Sequence, residues 1–300
     1  MDHRLFDESF LQNLERLTIL SRRTLAGQLQ GERRSPKRGQ SVEFSDFRPY
    51  AVGDDFRRID WNAYARLEKF FIKLFIEEED LTVHLLIDSS RSMDWGQPKK
   101  LDHAIRVAAA LGYIALVSLD RVTVTVLGKE VHHPDRYLPP KRGKQQALSL
   151  FSFLQSIRPN GSNPAVHLGS YALNALNPGP AILISDLMDD GWMAGINQLA
   201  GRGFEVTVLH LLSPDEIDPG RYTEPPLAGD FKLLDFETSS DVEITADFET
   251  LERYRLQLNE WQTSLQQFCS ARGAHYVPVD TSLPVEELLF NWLRNKGVLR

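Results

Sequence analysis

One cysteine, Cys269, stands in a chain of 300 residues. No intrachain disulfide can form, and no cysteine cluster is available to hold zinc. Set in a helical pattern beside Phe268 and Ala271, this thiol reads as a small core residue. Long apolar runs are also missing. The longest, Val107 to Leu119, is about a dozen residues, against the roughly 20 that span a bilayer. The first residues, Met1 to Glu8, are acidic and have no apolar stretch, so they do not read as a signal peptide. These absences together predict a soluble cytoplasmic chain without membrane insertion. There is no Gly-rich nucleotide loop of the Walker kind, no internal repeat, no low-complexity tract and no convincing Ser-His-Asp set. His84 falls inside a strand pattern and His132 and His133 at a sheet edge, where structural roles are expected.

A hydrophobic share of 42% can supply a substantial core, and a net charge of -7 argues against coating nucleic acid or an anionic membrane. The charge is uneven. Residues 21–40 hold Arg22, Arg23, Arg33, Arg34, Lys37 and Arg38 against Glu32 alone, while residues 214–260 are strongly acidic. A basic arm and an acidic flank suggest partner contacts; two solvated surfaces would look the same.

Apolar spacing over residues 5–30 predicts one or two amphipathic helices. Residues 31–40 form a basic loop. Val42 to Pro49 alternates like a strand, Gly53-Asp54-Asp55 looks like the start of a helix running through Trp61, and Phe70 to Ile76 reads as a second strand. Glu77 to Asp80 is an acidic junction. Residues 1–80 are thus expected to form a small α+β subdomain, with Trp61 and Tyr64 as core aromatics and Arg58 and Asp60 as a buried pair.

From residue 81 to 300 strands and helices alternate, which predicts a doubly wound, mainly parallel α/β sheet. The strands are expected at 81–87, 121–127, 181–185, 204–212 and 275–279. Helices are expected at about 101–118, 144–156, 164–176, 190–200, 247–271 and 284–295. A short edge strand near 129–133 would pair with 121–127 through Gly128. Residues 213–246 depart from the alternation and read as a β-hairpin insertion, with Phe231 to Phe236 and Val242 to Thr245 flanking Ser239-Ser240.

The chain is organised around Asp88-Ser89-Ser90-Arg91-Ser92, directly after the most convincing buried strand. Asp88, Ser90 and Ser92, at every second position on a loop at the carboxyl end of a strand, can turn three oxygens to one point. Open α/β sheets place ligands there, and oxygen ligands suit a hard ion such as Mg2+ or Mn2+. Asp186 ends a neighbouring strand, and Ser162 lies in the loop Pro159 to Pro164. Each has an ordinary alternative. Asp186 could satisfy turn amides, Ser162 or Asn163 could cap the helix starting at Pro164, and Ser90 and Ser92 could be plain loop residues. Together, three hydroxyls and two carboxylates leave a bound cation much of its charge and an open position, which suits gripping a partner's carboxylate. Hydrolysis would need a general base or a second metal as well.

Asp88-x-Ser90-x-Ser92 with Ser162 and Asp186 resembles the metal-ion-dependent adhesion site of von Willebrand factor A domains, which usually have Thr where Ser162 stands. A longer signature resembles the bacterial domain-of-unknown-function 58 family: Val42-Glu-Phe-Ser-Asp-Phe-Arg-Pro-Tyr50, Gly53-Asp-Asp55, Arg58-Ile-Asp-Trp-Asn-Ala-Tyr-Ala-Arg66 and Lys73-x-Phe75-x-Glu77-Glu78. That resemblance implies a von Willebrand A-like (Rossmann-type) fold. It also implies a partner, a MoxR-type AAA+ ATPase, to which the chain would act as adaptor or cofactor, the metal site gripping an acidic residue of the ATPase or a client. Arg33, Arg34, Lys37, Arg38, Arg58 and Asp60 are the candidates for a second partner-binding surface. Two other readings compete. A metal-dependent hydrolase would need Asp54, Asp55, Asp60 and Glu77 to Glu79 to converge on Asp88, and Ser90 stands where haloacid-type phosphatases need a second Asp. Nucleic-acid binding through residues 33–38 lacks an aromatic platform and is opposed by the net charge.

Overall fold

The computed structural model describes residues 5–21, 42–51, 54, 56, 59–77, 81–128, 136–159, 161–189, 191–219, 229–234, 241–246 and 248–300. Its contacts divide the chain into two units, Met1–Leu20 together with Leu81–Arg300, and Ser21–Asp80. Residues 5–20, expected from the sequence to join the signature segment, thus pack with the larger unit. Helix α1 (Glu8–Leu14) starts at Asp7, whose carboxylate accepts from the Phe10 amide at 2.7 Å. It buries Phe10 and Leu14 in the large core, together with Phe6 just before it. Beyond it described residues 17–21 are not helical, and Ile19 bridges Leu299; the rest of the expected helical stretch, residues 22–30, lies outside the described set.

In the smaller unit, β1 (Val42–Pro49) pairs antiparallel with β2 (Phe71–Glu77), with a bulge between Phe44 and Asp46. Helix α2 (Trp61–Leu67) begins where the expected helix was to end. Asp54 does not cap it. Its carboxylate takes both ends of the Arg48 guanidinium at 2.7 and 2.8 Å and accepts from the Ala51 amide at 2.8 Å. Asp60 is the N-cap, accepting from the amides of Asn62 and Ala63 at 2.9 and 3.1 Å. The expected core aromatics are corrected as well: Trp61 is 60% and Tyr64 38% exposed. Tyr64 instead stacks on Phe70 with ring centroids 4.4 Å apart. Arg58 lies outside the described residues, so its expected pair with Asp60 does too; the burial of Asp60 goes with its capping role.

The larger unit continues with β3 (Thr82–Asp88), α3 (Lys100–Val117), β4 (Arg121–Leu127), β5 (Tyr137–Arg142), α4 (Ala147–Ser156), α5 (Pro164–Asn174), β6 (Pro180–Ser185), α6 (Trp192–Gly201) and β7 (Glu205–Leu212). After one helical turn, α7 (Pro214–Ile217), come the hairpin β8 (Gly229–Leu234) and β9 (Asp241–Ala246), the long α8 (Phe248–Ser270), β10 (His275–Asp280), and α9 (Val285–Glu287), which runs on as a π-helical stretch over Leu288–Leu293. The protein is a mixed α/β structure with a six-stranded sheet in the order β10-β7-β6-β3-β4-β5. Every pair is parallel except β4 with β5. The antiparallel edge is Tyr137–Arg142, carrying Pro139 and Pro140, as suits an edge strand; the expected edge at 129–133 lies outside the described residues. The hairpin β8–β9 forms its own two-stranded sheet, as its sequence predicts. Among the described residues no helix is long and apolar enough to cross a membrane.

All seven residues of β3 are buried, because both faces of the sheet are covered. Val83, Leu85 and Ile87 face a core shared with α1, α3 and α4, while Leu86 faces one shared with α5, α6 and α8. From β3 the chain winds one way into β4 and the other way to β6. The carboxyl ends of β3 and β6 therefore flank the crevice where the winding reverses.

Candidate functional site

Register brings the site together. Ile87 pairs with Ile184, so the next residues, Asp88 and Ser185, end neighbouring strands. The Ser185 hydroxyl donates to Asp88 Oδ2 at 2.6 Å, and the Ser90 amide donates to Oδ1 at 2.8 Å. The hydroxyls of Ser90 and Ser92 lie 3.0 Å apart. Ser185 Oγ also accepts from the Leu187 amide at 2.9 Å, which stiffens the turn leaving β6. Asp88, Ser90 and Asp186 are fully buried or nearly so, whereas Ser92 is half-buried and opens the cluster outward.

The loop bearing Ser162 is pinned to the same place. Gly161 bridges Ser90 in parallel fashion, its amide donating to the Ser89 carbonyl at 2.7 Å, and the Ser162 amide donates to the Gly128 carbonyl at 2.8 Å. A Cβ on Gly161 would sit 2.7 Å from Ser89 Oγ and 2.9 Å from its carbonyl oxygen, so only glycine permits this approach. Ser162 itself is exposed beside the cluster. Asn163 is the N-cap of α5 in a left-handed conformation at φ 48, without a side-chain cap bond; Asp189, from the loop after β6, reaches the Ala165 amide instead at 3.3 Å.

The sequence reading missed two residues here. Lys100, the first residue of α3, has no exposed surface. Its ammonium donates to Asp186 Oδ2 at 2.8 Å and to Glu216 Oε1 at 2.5 Å. Glu216 Oε2 in turn accepts from the amide and hydroxyl of Ser213, closing a capping box on α7. The box was legible as Ser213-x-x-Glu216. Nothing in the apolar pattern of α3 marked its first lysine as buried.

Electrostatics follow from this packing. Burial first, and the nearby Asp186 carboxylate second, push the Asp88 carboxyl well above the ordinary carboxylate range, only partly offset by the Ser185 and Ser90 hydrogen bonds. Burial alone would pull the Lys100 ammonium down, but the charges of Asp186 and Glu216 outweigh it and hold it above the ordinary lysine value. His210 is nearby but committed. Its Nε2 faces the Asp186 carbonyl at 3.0 Å, which can only accept, so Nδ1 accepts from the Tyr276 hydroxyl at 2.6 Å. Burial lowers it to about 4 and keeps it neutral.

The Ser90 and Ser92 hydroxyls have the spacing of two neighbouring oxygens around a small hard cation. Octahedral Mg2+ holds oxygens at about 2.0–2.1 Å, which places adjacent ligands about 3.0 Å apart. The Ser90 and Ser92 hydroxyls have that separation at 3.0 Å. Asp88 Oδ1 accepts from the Ser90 amide and Oδ2 from the Ser185 hydroxyl, and each carboxylate oxygen has a second lone pair. Among the described residues no three His, Cys, Asp or Glu side chains form a metal-binding group, so a cation here would lean on hydroxyls. Of the second expected surface, Arg33, Arg34, Lys37, Arg38 and Arg58 lie outside the described residues, and Asp60 caps α2 in the smaller unit.

Fold and crevice define a mixed α/β protein with a polar cluster at the switch point of a mainly parallel sheet. Residues 46–263 match the family described as "Protein of unknown function DUF58", and the chain belongs to that family. Relatives include "Uncharacterized protein Rv1480" of Mycobacterium tuberculosis and "Uncharacterized protein Mb1516" of Mycobacterium bovis. Each is 27% identical over 251 residues, covering 80% of this chain and 75% of the relative. Similar solved structures include an aerotolerance-related membrane protein from Bacteroides fragilis, with 18% identity, coverage of 67% of this chain and 92% of that one, and a TM-score of 0.43. A von Willebrand factor type A protein from Catenulispora acidiphila has 14% identity, coverage of 47% and 35%, and a TM-score of 0.32.

Proposed function

We propose that this chain is a von Willebrand A-like, non-catalytic interaction module that holds Mg2+ or Mn2+ through Asp88, Ser90 and Ser92, with Ser162 and Asp186 completing the site. The observation that carries the reading is the pair of hydroxyls 3.0 Å apart beside a fully buried carboxylate, at the crevice of the sheet. The cation would supply an electrophilic point for a carboxylate of a partner protein. The chain's own residues fix the geometry: Ser185 and the Ser90 amide orient Asp88, and the Gly161 bridge holds the Ser162 loop against Ser90.

The nearby histidine, His210, has both nitrogens engaged and stays neutral, which supports binding over hydrolysis. A hydrolase built on a second acidic centre loses two of its candidates, since Asp54 is tied to Arg48 and Asp60 to the start of α2. The family resemblance adds the partner class, a MoxR-type AAA+ ATPase with an acidic client, served as adaptor or cofactor.

Two measurements test this. Titration calorimetry with Mg2+ and Mn2+ should give a single site in the wild type that disappears in Asp88→Ala. Pull-down of the purified ATPase should depend on both the metal and Asp88. Equal heats from the two proteins would end the metal reading, and metal-independent capture would move the contact elsewhere.

A further inference from the structure

The first turn of a helix is a poor place for a cation, because its free amides carry partial positive charge. Lys100 occupies that position in α3, behind an N-cap, Lys99, that makes no side-chain cap bond. It is among the largest fully buried side chains in the protein. Buried charge of this kind seldom adds stability over an apolar side chain of similar size, so neither local preference nor packing accounts for it. What accounts for it is three-dimensional. Lys100 joins Asp186, from the turn after β6, to Glu216, in α7 after β7. Neither acid is free to turn away, since Asp186 Oδ1 accepts from the Met188 amide at 3.2 Å and Glu216 Oε2 is held by Ser213.

The charges can be counted. Asp88, Asp186 and Glu216 bring three negative charges in their ionised forms and Lys100 one positive, leaving two negative charges over these four side chains, which one divalent cation neutralises. With Lys100 on Asp186 Oδ2, Asp186 would complete the site from behind, leaving Asp88 as the one carboxylate in direct contact with the cation and neutral hydroxyls for the rest. We propose that Lys100 is a positioning residue that sets the strength of the metal site: its fixed charge weakens the grip on the cation and keeps Asp186 aimed away from full ligation, which preserves the cation's pull on an external carboxylate. This inference rests on the metal-site reading above and deepens it. Lys100 acts through Asp186 and Glu216 and is not itself a ligand.

The prediction is a ladder of charge, read by calorimetric titration of Mg2+ and Mn2+. Lys100→Gln raises the cluster to three negative charges and should bind at least tenfold tighter. Glu216→Gln lowers it to one and should bind at least tenfold weaker. The double variant restores two and should return to within about threefold of the wild type. The interaction of a unit charge with a divalent ion over a few ångströms, even at an effective dielectric of about 20, is large enough for steps of that size. A merely structural lysine predicts a different pattern, with all three variants binding more weakly; that pattern, or four equal affinities, overturns the inference while leaving the metal site standing. If the wild type binds neither ion, the metal-site reading fails and this inference with it. Thermal melting in chelator checks that each variant folds. Should Lys100→Gln not fold, the other two decide: the double variant must bind tighter than Glu216→Gln, and equal or weaker binding rejects the proposal.

Discussion

Replacing Asp88 by asparagine removes one charge and keeps the shape, and the structure sets the sign of the outcome. The side chain is fully buried, accepts two hydrogen bonds and lies near the Asp186 carboxylate. Burial and that neighbour make the charged form costly when no cation is present. In the variant the Ser90 amide still finds a carbonyl oxygen. The Ser185 bond must reverse, because an amide nitrogen only donates there, at a cost of about 1 kcal/mol. Against this, each pKa unit by which folding raises a carboxyl is 1.36 kcal/mol, so removing the charge returns on the order of 2–4 kcal/mol. Asp88→Asn should therefore be more stable than the wild type by about 1–3 kcal/mol in chelator at mildly alkaline pH. The pH dependence has a definite direction. A carboxyl raised on folding binds its proton more tightly in the folded state, so the wild type loses stability as pH climbs from the ordinary carboxylate range through the folded value, and the variant does not. Millimolar Mg2+ should reverse the ranking, stabilising only the wild type. Urea unfolding with chelator and with Mg2+ reads all of this. A variant less stable than the wild type in chelator would show that Asp88 is an ordinary, favourable turn carboxylate and refute the reasoning.

Gly161→Ala drives a Cβ to within 2.7 Å of Ser89 Oγ and 3.0 Å of Gly128 Cα, so it should cost about 2 kcal/mol in urea unfolding and weaken Mg2+ binding by displacing the Ser162 loop. Asp60→Ala removes the cap that accepts from Asn62 and Ala63; about 1 kcal/mol should be lost from the smaller unit, seen as faster exchange of the α2 amides by hydrogen exchange, with Mg2+ binding by the larger unit unchanged. His84 and His103 are both held near 4, mainly by burial. Their contribution to stability is present above the ordinary histidine value near 6.5 and is lost as pH falls towards about 4, up to about 3 kcal/mol each. His84→Gln, which can still donate to the Asn177 carbonyl and accept from Tyr171, should show a shallower loss of stability over that window.

The sheet was legible because strand and helix periods alternate so regularly from residue 81 onward. β3, β4, β6, β7 and β10 lie within a residue of their expected positions, and the hairpin β8–β9 stands where its two apolar runs predicted it. The start of α2 was misplaced because Asp54 and Asp60 both look like caps. The bidentate pair of Asp54 with Arg48, six residues earlier, decides between them. Trp61 and Tyr64 are different: aromatic content suggests a core, but Trp61 meets Tyr64 edge-on and Tyr64 stacks on Phe70 in an exposed cluster. At the site, Asp88, Ser90 and Ser92 were readable from a spacing of two at a strand end. Lys100 and Glu216 were not, because their meaning depends on a contact across 116 residues of chain.

The central claim is that the hydroxyls of Ser90 and Ser92 and the carboxylate of Asp88 hold a divalent cation. Anomalous scattering from crystals grown with Mn2+ tests it most directly. A bound ion should give a single strong peak within about 2.2 Å of both hydroxyl oxygens, absent in Asp88→Ala crystals grown the same way. A wild-type map with no peak there, at a Mn2+ concentration that saturates other known hydroxyl-rich sites, would contradict it.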